Sequence, residues 1–217
     1  SYFSRDLPLK TAALVEKIAG VDTITVESEL EALILEANLI KKYLPPFNVR
    51  LTDDKDYLYI GVTREGFPKV ITLRKHDLKK VKKYWGPYPS SRTVRDTLKL
   101  LRRVFPWCAN PPKTNAQSRF VNSNPNRDWK ARACFYYHID MCPGVCVGSI
   151  NKRDYNKTIR RFAKFLEGRK DELMEELVQE MEEAAKDQKF EEAAKVKKII
   201  DGISYLTQIN RVQKYLE

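Results

Sequence analysis

Three of the four cysteines in this chain, Cys134, Cys142 and Cys146, fall within thirteen residues, and the fourth, Cys108, precedes them across a long polar stretch. If the thiols share one centre, the chain between residues 108 and 146 has to close on itself, whatever its local preferences. In a basic chain without a secretory signal, four cysteines read more readily as metal ligands than as disulfides. Four thiolates can complete a tetrahedral zinc site or hold an iron–sulfur cluster; four reduced structural cysteines are the plain alternative. Cys142-Pro-Gly-Val-Cys146 reads as a tight turn that brings two sulfurs to one side. His138 is either a substitute ligand or an ordinary surface or core histidine.

Charge is segregated along the chain. Between Asp171 and Ile200 ten acidic residues face five basic ones, and from Asp201 to Glu217 the charges cancel. The whole chain carries +11, so the first 170 residues carry +16. Phosphate binding favours such a body, because each Lys or Arg set on a phosphate releases counterions. A soluble basic protein with no polyanionic partner is the alternative. The acidic stretch reads as a separate module with a different partner. No apolar run approaches the roughly 18 residues of a membrane span, so no membrane partner is expected. The opening SYFSRDLPLK has neither an initiator Met nor the apolar centre of a secretory signal, which predicts a cytoplasmic protein of which this chain is a piece.

Hydrophobic periodicity predicts a helix over Lys10–Ile18 and a short alternating strand over Val21–Val26. Ser28 and Glu31 form a capping box at the head of EALILEANLIKKY, with Lys41 and Lys42 in its last turn and Pro45-Pro46 ending it. Tyr57–Val62 and Lys69–Leu73 are strand candidates around Gly66-Phe67-Pro68. YWGPYPSS reads as a Gly/Pro turn feeding a helix over Thr93–Val104, with apolar Val94, Leu98, Leu101 and Val104. That helix carries Arg92, Arg95, Lys99, Arg102 and Arg103, a cationic face that either meets a phosphate backbone or is simply solvated. Residues 109–133 are polar and predict a flexible insertion. Helices follow over Asn156–Glu167, Asp171–Ala185 and beyond a turn at 187–190, with Gly168 as a break.

Glu36 has Ala32, Leu33, Leu39 and Ile40 three and four residues away, which places this carboxylate within an apolar stripe. Such a group is normally paired, neutralised or bound to a metal. The surrounding ESELEALILEANLIKKYLPPFNVRL resembles the last part of the GIY-YIG nuclease domain in the UvrC family, the C subunits of bacterial excinucleases. The resemblance implies that Glu36 is a ligand of a catalytic Mg²⁺ ion; Asn48 also matches, with no role assigned. The family's water-activating tyrosine and phosphate-binding arginine belong to segments that would precede Ser1. The chain alone is therefore expected to be inactive as a nuclease.

YWGPYPSSRTVRDTL is similar to a second UvrC segment, and CFYYHIDMCPGVC to the family's cysteine-rich ending. The resemblance implies a four-iron, four-sulfur cluster on Cys108, Cys134, Cys142 and Cys146, with zinc as the alternative. Two features depart from the family: the loop after Cys108 is long, and Pro143-Gly144-Val145 stands between the last two cysteines. The acidic end, MEELVQEMEEAAKDQKFEEAAKVKKIIDGISYL, has the periodicity of an αα-hairpin. One stripe holds Leu173, Leu177, Met181 and Ala184/Ala185. The other holds Phe190, Ala193/Ala194, Ile200, Ile203 and Leu206. Its apolar edge either packs on the preceding body or awaits a partner. It resembles the UVR motif through which UvrB and UvrC associate, which implies a UvrB-like partner at Phe190, Ala193, Ala194, Val196 and Ile200.

The expected fold class is α+β. It comprises a truncated GIY-YIG nuclease remnant (residues 1–50), a mixed middle region (51–107), a cysteine-cluster region with the polar insertion (108–150), a connecting helix (151–170) and a C-terminal α-helical hairpin (171–210). The expected function is that of a nucleotide-excision-repair endonuclease subunit, incising damaged DNA with a UvrB-like partner and using DNA contacts at Arg92, Arg95, Lys99, Arg102 and Arg103. A nuclease-dead DNA- and UvrB-binding module and a zinc-stapled nucleic-acid-binding protein are the alternatives.

Overall fold

The computed structural model describes residues 9–47, 57–88, 90–109, 111 and 133–213. Asn48 and most of the polar insertion, residues 112–132, lie outside them.

Helix α1 covers Leu9–Val15 and α2 covers Glu29–Tyr43. The Ser28 hydroxyl accepts the Glu31 N–H at 3.1 Å, and the Glu31 carboxylate accepts the Glu27 N–H at 3.0 Å. The reciprocal cap thus reaches one residue further back than the capping box predicts. At the other end Leu44 is left-handed (φ 45°) and its N–H still reaches the Ile40 carbonyl, after which Pro45 ends the helix. The strand expected over Val21–Val26 is absent. Alternation alone does not make a strand; no neighbouring edge among the described residues takes its hydrogen bonds, and Val21 and Ile24 stay exposed.

Three antiparallel strands, β1 (Leu58–Thr63), β2 (Val70–Leu73) and β3 (Val81–Tyr88), form a sheet of order β2-β1-β3. Tyr59 pairs with Leu73, and Ile60 pairs with Thr72 on one side and Trp85 on the other. β3 corrects the expected Gly/Pro turn: YWGPY is strand, with a cis Gly86–Pro87 bond near its end. An edge strand tolerates proline because one row of its N–H groups has no ladder partner to lose. Alternation splits the sheet's residues. Ile60, Val62 and Trp85 face the main core, whereas Tyr59, Leu73 and Val81 form a small second cluster with Ile71, Leu78 and Tyr84.

Helix α3 (Ser91–Val104) follows, capped by the Ser90 hydroxyl on the Thr93 N–H; α4 is the short Phe135–His138 turn of helix. Helix α5 (Lys152–Leu166), capped by Asn151 on the Asp154 N–H, runs through the centre. The ring of its buried Phe162 lies 5.9 Å from Trp85, 6.3 Å from Phe105 and 5.4 Å from Trp107. Gly168, at φ +74°, turns the chain into α6 (Lys170–Lys186), which pairs with α7 (Phe190–Gln213).

The hairpin is not a free-standing module. Leu173, Leu177, Val196, Ile203 and Leu206 belong to the same buried cluster as Leu30, Ile60, Val94 and Phe162. A Cβ on Gly202 would come within 2.8 Å of Val104 Cγ2, so α7 lies directly against the end of α3. At the other end of the hairpin Phe190 is 68% exposed. Lys170 joins Glu27 and Glu31, both at 2.9 Å, and ties the hairpin to the head of α2. The architecture is α+β, and no described helix is long and apolar enough to cross a membrane.

Candidate cysteine centre and nucleic-acid surface

Helix α3 delivers Cys108, and α5 holds it. Cys108 is buried, and its N–H donates to the Tyr155 hydroxyl at 3.2 Å. That hydroxyl in turn donates to the Pro68 carbonyl at 2.6 Å, so one buried side chain ties the cysteine segment to the β1–β2 turn. Burial pushes the Tyr155 phenol well above its ordinary range, which keeps it a donor at any physiological pH. Cys134 occupies the position just before α4 without a side-chain capping bond, Cys142 is buried beyond it, and Cys146 lies on a single 3₁₀ turn, Val145–Val147. That turn is bracketed by Gly144 and Gly148 at φ +79° and +72°. Gly144 is required twice over, because a Cβ there would also meet the Tyr137 ring at 2.5 Å.

None of the four cysteines is in a disulfide. The Cys142 thiol is drawn down to about 6, first by hydrogen bonding from Cys108, then against burial by the Gly144 backbone, Cys134 and the Arg102 charge. Cys146 is pushed up, by burial first and then by the negative charge of Cys142 and Cys134. The structure therefore brings the four predicted cysteines into one neighbourhood where at least one thiolate is favoured. Among the described residues, no three His, Cys, Asp or Glu side chains are already disposed to hold a metal ion. The fit to an inorganic group rests on the chemistry of the donor set, four cysteines near enough to shift one another's thiols, beside the buried Arg102. His138 is exposed, its ring against Tyr137.

The five cations of α3 do not share one face. Arg92, Arg95, Lys99 and Arg103 are exposed, with Asp96 within 3.9 Å of Arg92 and 3.3 Å of Lys99. Arg102 is 8% exposed and points inward, which corrects its expected place on a DNA-facing surface. Its Nε donates to the Met141 carbonyl and its Nη2 to the Trp107 carbonyl, both at 2.9 Å. Its guanidinium lies 3.8 Å from the Tyr136 ring centroid.

Glu36 corrects a second expectation. Helix α2 is apolar on nearly every side, and the face that packs is Leu30, Ile34, Ala37 and Ile40. Glu36 is exposed on the other face, in an open depression with Asp22, Ile24, Val26, Ala32, Leu35 and Leu39. An exposed carboxylate needs no buried counter-charge, and it is free to take a hydrated cation.

The predicted partner-binding residues also divide. Phe190 and Ala194 are exposed, and Ala193 and Ile200 are half-buried. Val196 is 5% exposed inside the core, which removes it from the available surface. Sequence reasoning missed Tyr155 as the support of Cys108 and Arg102 as a residue of the cysteine centre. The Tyr155, Ile159, Phe162, Leu166 stripe would have placed Tyr155 in the core; no local signal marks Arg102 among its cationic neighbours.

Residues 57–165 match the family described as UvrC/Cho excinuclease, middle domain. Residues 1–49 match the UvrC-like GIY-YIG domain, and residues 171–200 match the UvrB/uvrC motif. The UvrABC system protein C of Caldanaerobacter subterraneus subsp. tengcongensis is 40% identical over 207 residues, 94% of this chain and 32% of that protein. The protein of that name from Synechocystis sp. is 40% identical over 218 residues, 99% of this chain and 32% of the relative. The chain thus spans about a third of the length of these curated relatives. No solved structure matches it. Three family matches in order, the middle one over half the chain and centred on the cysteine core, establish that this chain belongs to the UvrC family.

Proposed function

We propose that this chain is the part of a nucleotide-excision-repair endonuclease subunit that joins a nuclease helix, a cysteine centre and a partner-binding hairpin on one core. The observation that carries the reading is that single core: apolar residues of α2, α5 and the hairpin belong to one buried cluster with Cys108 and Cys142, and Cys134 packs against it. Exposed Arg92, Arg95, Lys99 and Arg103 would meet phosphates of damaged DNA, and Phe190 with Ala194 at the hairpin tip would meet a UvrB-like protein. Glu36 would hold a Mg²⁺ ion, which supplies charge stabilisation at a scissile phosphate in a complete nuclease domain.

Cys108, Cys134, Cys142 and Cys146 would hold a four-iron, four-sulfur cluster, which supplies a cross-link among their loops and a redox-active centre. The residues' own part is to present sulfur: Tyr155 fixes the Cys108 backbone, and Gly144 lets the Cys142–Cys146 turn close. Iron, zinc and acid-labile sulfide per chain, measured on protein purified without air for wild type and Cys142→Ala, test the centre. Iron with matching sulfide, lost in the variant, supports it; zinc alone would favour a structural staple. Co-elution of the chain with a purified UvrB-like protein and a lesion-bearing duplex tests the functional reading. Association with neither overturns it.

A further inference from the structure

Among the described residues two arginines are buried, and they are treated differently. Arg161 is paired with Glu180. Arg102 has no carboxylate partner among the described residues; it spends its donors on two backbone carbonyls. A buried guanidinium is expensive unless a negative group compensates it. The two carbonyls belong to Trp107 and Met141, the residues immediately before Cys108 and Cys142, which are the two buried cysteines. The stacked ring belongs to Tyr136, two residues after Cys134. One planar side chain therefore touches the segments that carry three of the four thiols.

We infer that Arg102 is the positioning residue and counter-charge of the cysteine-held cluster, setting the Cys108, Cys134 and Cys142 segments around it. The inference rests on the cluster reading above. The guanidinium suits the task because its planar fork serves two acceptors at once and stacks on an aromatic face; a lysine ammonium keeps the charge without the fork. Cysteine thiolates and inorganic sulfide together leave such a centre negative, which supplies the compensation that no carboxylate among the described residues provides.

The test uses the full chain, purified without air, as wild type, Arg102→Lys, Arg102→Met and, as a control for losing a buried arginine elsewhere, Arg161→Met. Iron and sulfide per chain, the rate at which visible absorbance is lost to a chelator, and the midpoint potential are measured, with circular dichroism reporting folding. Both Arg102 variants should lose the cluster faster, by about ten- to a hundredfold, as expected for a supporting residue. Arg102→Met should also lower the potential, because removing a cation disfavours the added electron, whereas Arg102→Lys should leave the potential near wild type. Arg161→Met should move neither reading. Should Arg102→Met fail to fold, the loss rate of Arg102→Lys decides. A wild-type protein with iron and sulfide whose Arg102 variants match it overturns the inference alone. A wild-type protein without iron and sulfide overturns the cluster reading and the inference with it.

Discussion

The Tyr155 hydroxyl accepts the Cys108 N–H at 3.2 Å and donates to the Pro68 carbonyl at 2.6 Å. Helix α5 thereby fixes the backbone of a cysteine 47 residues earlier in the chain. Tyr155→Phe removes the oxygen and leaves a buried donor and a buried acceptor unmatched. The expected cost is about 1–3 kcal/mol, read as a lower urea midpoint with an unchanged m-value. An unchanged midpoint would mean that water replaces the hydroxyl and that the contact supports nothing.

The two left-handed glycines around Cys146 give an internal comparison. Gly144 and Gly148 have similar φ, but a Cβ at Gly144 would strike Tyr137 while nothing lies within 4 Å at Gly148. Gly148→Ala should cost about 1–2 kcal/mol, the backbone strain alone. Gly144→Ala should cost more in the same thermal or urea assay, since the ring must also move. Equal costs would show that the tyrosine yields freely.

The α5–α6 contact should be acid-labile. Lys164 bonds Glu176 at 2.5 Å and Glu172 at 3.0 Å, and hydrogen bonding to the ammonium holds both carboxyls below their ordinary 4.5. The folded chain therefore takes up protons less readily than the unfolded one at these positions. Their stabilisation is complete above the unfolded carboxylate value and is lost as pH falls through the lowered folded values. The stability difference between wild type and Lys164→Met should shrink over that acid range and persist at neutral pH. A difference that stays constant down to the acid limit of folding would remove the pair from the account.

The exposed and buried cations of α3 should behave differently toward DNA. Replacing Arg92, Arg95, Lys99 and Arg103 by Gln should flatten the dependence of log K on log salt by about 0.9 for each lost phosphate contact. Fluorescence anisotropy on a duplex at several salt concentrations measures the slope. A quadruple variant with the wild-type slope would place the DNA elsewhere on the +16 body.

On the hairpin, exposure separates binding from stability. Phe190 is 68% exposed and Leu177 is fully buried. Phe190→Ala should weaken association with a UvrB-like protein while moving the unfolding midpoint little. Leu177→Ala should destabilise the chain by about 2–5 kcal/mol. Sedimentation of the mixed proteins together with urea titration tests both.

The sequence by itself determined the elements whose signals are local. The Ser28 cap, the Pro45 stop, the two strands around Gly66-Phe67-Pro68 and the Gly168 break all depend on residues a few positions apart. The run Cys134, Cys142 and Cys146 and the two stripes of the hairpin were legible for the same reason, as short-range spacing, whereas Cys108 stands apart from them in sequence. Tertiary structure decided the rest, because partners distant in sequence choose among faces that periodicity leaves equal. Helix α2 offered two apolar faces, and the sheet and hairpin took the one without Glu36. Val21–Val26 alternated like a strand but found no edge among the described residues, while YWGPY looked like a turn and was recruited into strand β3. Arg102 shares its helix and charge with four exposed cations; only the return of residues 107 and 141 to the same place, carrying two carbonyls, turned it inward.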